Sequence, residues 1–219
     1  MEDLRFLRQQ DVISSARMQS TGITLIGLGS IGSYVGLALA KMGALLTAYD
    51  ADIVEAHNWS NQMYSDDDIG TPKASAFIRL IEAYGGHTPN ATCARYVDQP
   101  LTEVVISAVD SMASRKEIWH AVRDSAQVRV YIDARMGLET LDVHAVRPLV
   151  KKDRVDYTAT LYSDAEALQE LCTARSVCYT PLMAASIVCN LVKRYVNDEA
   201  IPQRVILDLA TFTLLTEPS

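Results

Sequence analysis

The stretch Gly22-Ile23-Thr24-Leu25-Ile26-Gly27-Leu28-Gly29-Ser30-Ile31-Gly32 decides the fold. Its first five residues read as a short apolar strand. A G-x-G-x-x-G turn follows, and residues 31–41 carry small and apolar side chains at helical spacing, with Ile31, Val35 and Leu39 on the inner face. Each glycine has a physical task in such a unit. Gly27 permits the tight turn, Gly29 lets the backbone approach a phosphate, and Gly32 lets the helix pack close to the sheet. The helix N-terminus then offers free N–H groups and partial positive charge to an anion. A purely structural strand–helix turn is the alternative reading of the same pattern.

Downstream, the strand Leu45–Tyr49 ends in Asp50-Ala51-Asp52, and Asp50 lies 23 residues after Gly27. An acid there can accept hydrogen bonds from ribose hydroxyls, of NAD or ATP alike, or cap a turn. The polar run Asn58-Trp59-Ser60-Asn61-Gln62 comes next, then Asp68-Ile69-Gly70-Thr71-Pro72-Lys73. A helix is expected over 72–84, with Thr71 as its N-cap and Pro72 at its first position. Lys73 at that helix start opposes the macrodipole. A bound phosphate would explain it; a solvated surface lysine is the bland alternative. Strands are expected over 91–96 and 104–108, and a helix over 111–125 capped by Asp110 or Ser111. Asp110 therefore stands at the carboxyl edge of a strand, where it can hold Mg²⁺ or merely cap the helix.

Residues 128–134 read as a buried central strand, and 140–147 alternate as an antiparallel one would. A short helix over 163–171, a long apolar helix over 180–196 opened by Thr180-Pro181, and strands over 204–209 and 211–215 complete the order. Residues 3–18 form a polar helical arm. Strand–helix alternation predicts an α/β fold: a Rossmann-like, mostly parallel sheet with helices on both faces, mixed toward the C-terminus. One nucleotide-binding domain over 1–219, its arm at 1–18, is the simplest organisation for 219 residues that are 49% hydrophobic.

The formal net charge of -7 and the lack of a basic patch argue against nucleic acid as a partner. No apolar run approaches the roughly 18 residues of a membrane span, and the charged start lacks a secretory core, so a cytoplasmic protein is expected. Cys93, Cys172, Cys178 and Cys189 include no C-x-x-C pair, which argues against a knuckle-type zinc site, and they are expected to be free thiols. Cys93 in a strand and Cys189 in an apolar helix read as packing residues. Cys178, close before a helix N-terminus, is the best placed to be a thiolate, with Cys172 second; structural burial remains the stronger expectation even for Cys178. Asp133 and Arg135, at the end of a strand, either pair with each other or face a substrate, and pairing is the expectation. The polar segment 155–176 reads as an irregular loop.

Taken together, these blocks resemble the ThiF/MoeB adenylyltransferases, relatives of ubiquitin-activating enzymes. Arg5-Phe6-Leu7-Arg8-Gln9 is similar to the family's R-Y-x-R-Q. Residues 45–62 are similar to its D-x-D-x-V-x-x-x-N-x-x-R-Q, Asp68-Ile69-Gly70 with Lys73 to its I-G-x-x-K, and Asp110 with Arg115 to its D-x-x-x-x-R. The resemblance covers nearly the whole chain. It implies ATP-dependent adenylation of the C-terminal carboxylate of a small ubiquitin-like or sulfur-carrier protein, with Mg²⁺. By the same resemblance, Asp50 holds the ribose, Asn58 and Lys73 contact phosphate, and Asp110 positions Mg²⁺. Gly27, Gly29, Ser30, Gly32, Asp52 and Gln62 complete the nucleotide site. Arg8 reaches into the neighbouring subunit of a homodimer, and Cys178 is the candidate for a thioester. One departure stands out: Asn61 occupies the place of the family arginine and cannot make a bidentate charged contact. Arg115 or Arg135 would then substitute, or activity is reduced. The paired-cysteine zinc site of many members is absent. Two rival readings stay open: a degenerate family member acting as a binding module, and an NAD(P)-dependent oxidoreductase, which leaves Arg8, Asn58 and Lys73 unexplained.

Overall fold

The structure, a computed structural model, describes residues 4–162 and 176–218. Its strands are β1 (Gly22–Ile26), β2 (Leu45–Tyr49), β3 (Asn90–Thr92), β4 (Val104–Ser107), β5 (Val130–Gly137), β6 (Thr140–Val146), β7 (Arg204–Asp208) and β8 (Thr213–Glu217). They form a single 8-stranded sheet in the order β3-β2-β1-β4-β5-β6-β7-β8. Pairing is parallel from β3 to β5 and antiparallel from β5 to β8. The α/β, Rossmann-like reading with a mixed C-terminal part is therefore correct.

Six α-helices lie among the described residues: α1 (Ser15–Ser20), α2 (Ser30–Lys41), α3 (Lys73–Ala83), α4 (Met112–Asp124), α5 (Lys151–Thr158) and α6 (Tyr179–Val196). Strand alternation sorts the core into two layers. Ile23, Leu25, Val104, Ile106, Val130 and Ile132 pack under α2, α3 and α6. Ile26, Val105 and Tyr131, one residue out of phase, pack under α4 and α5 through Trp119 and Tyr157. Helices thus cover both faces, as a parallel sheet requires.

The differences from expectation are local. Thr71 does not cap α3: its hydroxyl donates to Asp68 O, Pro72 takes the N-cap, and the helix starts at Lys73. β3 ends at Thr92 rather than residue 96, because Ala94 N–H turns back onto Thr92 O and Tyr96 packs edge-on against Tyr49. Cys93 is consequently exposed and is no packing residue. β8 begins at Thr213, not 211, since the Asp208 carboxylate accepts from the N–H groups of Ala210 and Thr211 and closes a turn first. Residues 155–158 belong to α5, which the polar sequence hides; only Asp153 and Tyr157, four apart, are buried on it. The expected helix over 163–171 and Cys172 lie outside the described residues. No described helix is long and apolar enough to cross a membrane.

Candidate functional site

A cleft of ≈ 960 Å³ opens along the carboxyl ends of β1, β2, β4 and β5. Open α/β sheets bind ligands at this edge. The glycine turn forms its floor. Gly27 adopts φ +92°, and a Cβ there would meet Ala108 O at 2.6 Å. A Cβ on Gly32 would lie 1.9 Å from Gly27 O, so helix and turn touch backbone to backbone. A Cβ on Gly29 would meet nothing within 4 Å: that glycine faces open cleft. The turn is also braced from outside. Tyr64, which no motif marks, donates from its hydroxyl to Leu28 O at 2.7 Å, and only its burial in the fold reveals the role.

Asp50 is 9% exposed and its two oxygens accept from Leu28 N–H at 2.6 Å and Asp52 N–H at 2.8 Å. It therefore ties the end of β2 to the glycine turn, and lines the cleft while doing so. Burial pushes its carboxyl upward, against the pull of those two N–H groups and of Lys73. Lys73 is buried, and its Nζ lies 2.9 Å from the exposed carboxylate of Asp52. The surface-lysine alternative is thus excluded, and Asp52 supplies the negative charge that offsets a cation at a helix start. Asn58 is buried, accepts from Glu55 N–H through Oδ1, and keeps Nδ2 without a protein partner among the described residues. Gln62 is buried beside it with an unpartnered Oε1. Both line the cleft, as do Gly27, Gly29, Ser30, Asp52 and Lys73.

Ser111 caps α4 by accepting from Ser114 N–H, so Asp110 is not the cap. Asp110 is exposed on the cleft and makes no hydrogen bond or ion pair among the described residues. Such a carboxylate fits one ligand position of a Mg²⁺ that takes its other oxygens from phosphates and water. Among the described residues no cluster of three or more metal-ligating side chains exists.

Behind β4 and β5 lies a charged group that the sequence only hinted at. Asp133 is fully buried; its Oδ1 accepts from Arg115 Nε at 3.0 Å, and its Oδ2 from Arg135 Nε at 2.6 Å and Tyr157 OH at 3.0 Å. The Asp133–Arg135 pairing is therefore present, with Arg115 as a second partner. Arg115 also donates to Val109 O and Ala134 O, which pins β4 to β5. Burial alone would raise the Asp133 carboxyl, but the two guanidiniums beside it win and hold it below its usual range. Asp142 is likewise held low against burial, by His144 and Arg204. A carboxylate lowered in the fold contributes stability that is present above its unfolded pKa, about 4, and lost as pH falls through the folded value. Two results are expected. Unfolding free energy declines below about pH 4. Asp133→Ala, which leaves buried guanidiniums uncompensated, costs about 3–5 kcal/mol in urea denaturation at pH 7.

Asn61 does not point its amide at the cleft floor: Nδ2 donates to Ser176 Oγ at 3.0 Å, and Oδ1 is buried without a partner. Cys178 is exposed at the N-cap of α6, outside the residues that line the cleft. Cys189 is buried, as expected, with its thiol pushed up to about 12 by that burial. Brief alkylation of the native protein is expected to label Cys93 and Cys178 and to spare Cys189, read by peptide mass spectrometry.

Arg8 is exposed and lies far from its own cleft. Its neighbours anchor the arm at the opposite edge of the sheet, where Phe6 packs on Gly43 and Gln9 donates to Met42 O, both just before β2. The structure thus gathers Gly27, Gly29, Ser30, Asp50, Asp52, Asn58, Gln62, Lys73 and Asp110 around one cleft. Arg8 and Cys178 stand outside it, and Gly32 lies beneath it, against the turn.

Comparison with known proteins agrees with this architecture. The chain superposes on Escherichia coli MccB solved with ATP at a TM-score of 0.76, 16% identical, over 99% of this chain and 72% of that one. It superposes on PaaA at a TM-score of 0.74, 19% identical, over 93% of this chain and 65% of that one. In sequence, it is 38% identical over 68 residues to the SAMP-activating enzyme E1 of Haloferax volcanii, covering 29% of this chain and 25% of that protein. The ThiF family profile matches residues 5–203, so the chain belongs to the ThiF family.

Proposed function

We propose that this chain adenylates the C-terminal carboxylate of a small ubiquitin-like or sulfur-carrier protein, or of a peptide, with ATP, and releases pyrophosphate. One observation carries the reading. The open backbone at Gly29, the ammonium of Lys73, the free amide of Asn58 and the unpartnered carboxylate of Asp110 surround a single cleft. A hydride-transfer enzyme would need the glycine turn and Asp50 but would leave the other three idle. The relatives' names fit: one is an enzyme that activates SAMP, and MccB was crystallised both with ATP and with MccA.

The chemistry asks for alignment and charge. A carboxylate is a weak nucleophile and must meet the α-phosphorus in line with the departing pyrophosphate. Asp50 fixes the turn and is placed to accept from ribose. The α2 N-terminus, Asn58 and Lys73 donate to phosphate oxygens as charge shifts toward the leaving group. Mg²⁺ bound at Asp110 would supply further neutralisation there. Arg8 cannot serve this cleft from its own arm, so its part requires a second copy of the chain; a homodimer follows from the proposal. Activity would place the protein with its ATP and carrier in the cytoplasm.

The test is carrier-dependent ATP–pyrophosphate exchange, with a panel of small proteins and peptides bearing free C-termini. Exchange with one of them supports the reading. ATP binding without exchange on any of them favours the second reading, a nucleotide-binding module. Asn61 favours that second reading, because its amide is spent on Ser176 where the family carries arginine. Cys178→Ala is expected to leave exchange within about twofold of wild type, because adenylation precedes any thiol transfer and the thiol lies off the cleft.

A further inference from the structure

We infer that Arg135 is the group that receives the substrate carboxylate: its guanidinium, braced from behind by Asp133 and Thr160, faces the cleft next to Asp110. The inference rests on the adenylation reading and gives a role to a cleft-lining cation that the reading leaves unassigned.

Position is the first argument. Across the carboxyl edge of the sheet, β2 presents Asp50, β1 the glycine turn, β4 Asp110 and β5 Arg135. Ser107 pairs with Asp133 in register, and just beyond them Arg115 donates to both Val109 O and Ala134 O, which holds the residue before Asp110 beside the one before Arg135. A nucleotide laid from Asp50 across the turn reaches Asp110 with its phosphates. The acyl group must then enter from the next strand, which is β5.

Charge is the second. Arg115 and Arg135 share the single carboxylate of Asp133, which leaves one positive charge in excess. Arg115 is buried and tied to backbone, so the excess is presented through Arg135, whose side chain is 14% exposed and lines the cleft. An incoming carboxylate must approach a polyanionic phosphate chain, and this charge offsets the repulsion.

Pre-organisation is the third. Arg135 donates from Nε to Asp133, from Nη1 to Thr160 O at 3.3 Å and from Nη2 to Thr160 Oγ1 at 3.0 Å. Thr160 is itself fixed, its hydroxyl donating to Tyr157 O. These bonds spend Nε and one N–H of each Nη, so each Nη keeps one N–H, and the held guanidinium can still donate to a carboxylate oxygen in the cleft. In the reaction one carboxylate oxygen forms the bond to the α-phosphorus. The bond from that phosphorus to the bridging oxygen breaks, and pyrophosphate leaves with the electron pair. No proton moves. The other carboxylate oxygen becomes the carbonyl of the mixed anhydride and stays with Arg135.

Calorimetric titration with two stable probes tests this without knowing the natural carrier. One is 5′-O-sulfamoyladenosine, which has no acyl group; the other is its N-(acetylglycyl) derivative, a mimic of an acyl-adenylate. Arg135→Gln is expected to weaken the acylated probe at least about tenfold and to leave the unacylated one within about twofold. Arg135→Lys, which keeps the charge but cannot reproduce the planar group held by Asp133 and Thr160, is expected to fall between. The unacylated probe also reports that each variant is folded. An unchanged affinity for the acylated probe would overturn the inference, and so would equal weakening of both. If neither probe binds wild type, the adenylation reading itself fails.

Discussion

Lys73→Ala is expected to lower ATP–pyrophosphate exchange by about 10²- to 10³-fold, the usual loss for one donor aimed at developing negative charge. The Lys73 side chain is 9% exposed, yet its partner Asp52 is 71% exposed, so the ammonium is held inside the cleft by an acid at its rim. Its backbone N–H also donates to Asp52 O at 2.8 Å, fixing the start of α3 against the end of β2. Removing the side chain leaves Asp50 and Asp52 facing the phosphate position with no nearby cation, so affinity for the nucleotide anion falls along with the chemistry. Stability should barely change. An ion pair with one exposed partner contributes about 0–1 kcal/mol, and the melting temperature should move by no more than about 4 °C. Exchange rate and thermal melting measured on the same preparation check both halves. A large drop in melting temperature would make Lys73 structural.

Gly32→Ala and Gly29→Ala are expected to fail in opposite ways. A Cβ at position 32 lands 1.9 Å from Gly27 O, a backbone atom within the turn itself. Helix and turn must separate, at a cost of about 3 kcal/mol or more. Urea denaturation should show it, with nucleotide binding lost as a consequence. At position 29 a Cβ meets no protein atom within 4 Å, and the residue adopts φ -77°. The fold tolerates alanine there. The added methyl instead occupies the space through which a phosphate would reach the N–H groups of α2, so nucleotide affinity should fall about tenfold with stability unchanged. Equal ATP affinity in Gly29→Ala and wild type would mean that phosphate does not lie on this turn.

The division between what the sequence discloses and what it hides follows from the range of each interaction. β1, β2 and α2 are legible because they rest on local signals: apolar runs, helical spacing and a turn that only glycine permits. Asp50, Lys73 and Asp110 are legible because each sits at the end of an element, where the sheet edge converges. α5 is not, since only Asp153 and Tyr157 on it are buried and each is tied to a residue far away in sequence; Gln203 donates to the first and Asp133 accepts from the second. The Arg115–Asp133–Arg135 group is half legible. Adjacency suggests the Asp133–Arg135 pair, but Arg115 arrives from α4, and its spacing from Asp110 does not announce Asp133 as its partner. Tyr64 carries no local signal at all, and its hydrogen bond to the glycine turn appears only once the chain is folded. The α3 cap lies one residue later and the β8 start two residues later than expected because Thr71 and Asp208 spend their side chains on turns.

The most direct test of adenylation follows an oxygen atom. A substrate protein or peptide whose C-terminal carboxylate carries ¹⁸O is incubated with the enzyme, ATP, Mg²⁺ and hydroxylamine, and the nucleotide products are weighed by mass spectrometry. The predicted result is AMP bearing one ¹⁸O, because the carboxylate oxygen bonds to the α-phosphorus and stays there when hydroxylamine cleaves the acyl bond. Label in inorganic phosphate with ADP as the nucleotide would place the attack on the γ-phosphorus and contradict the account.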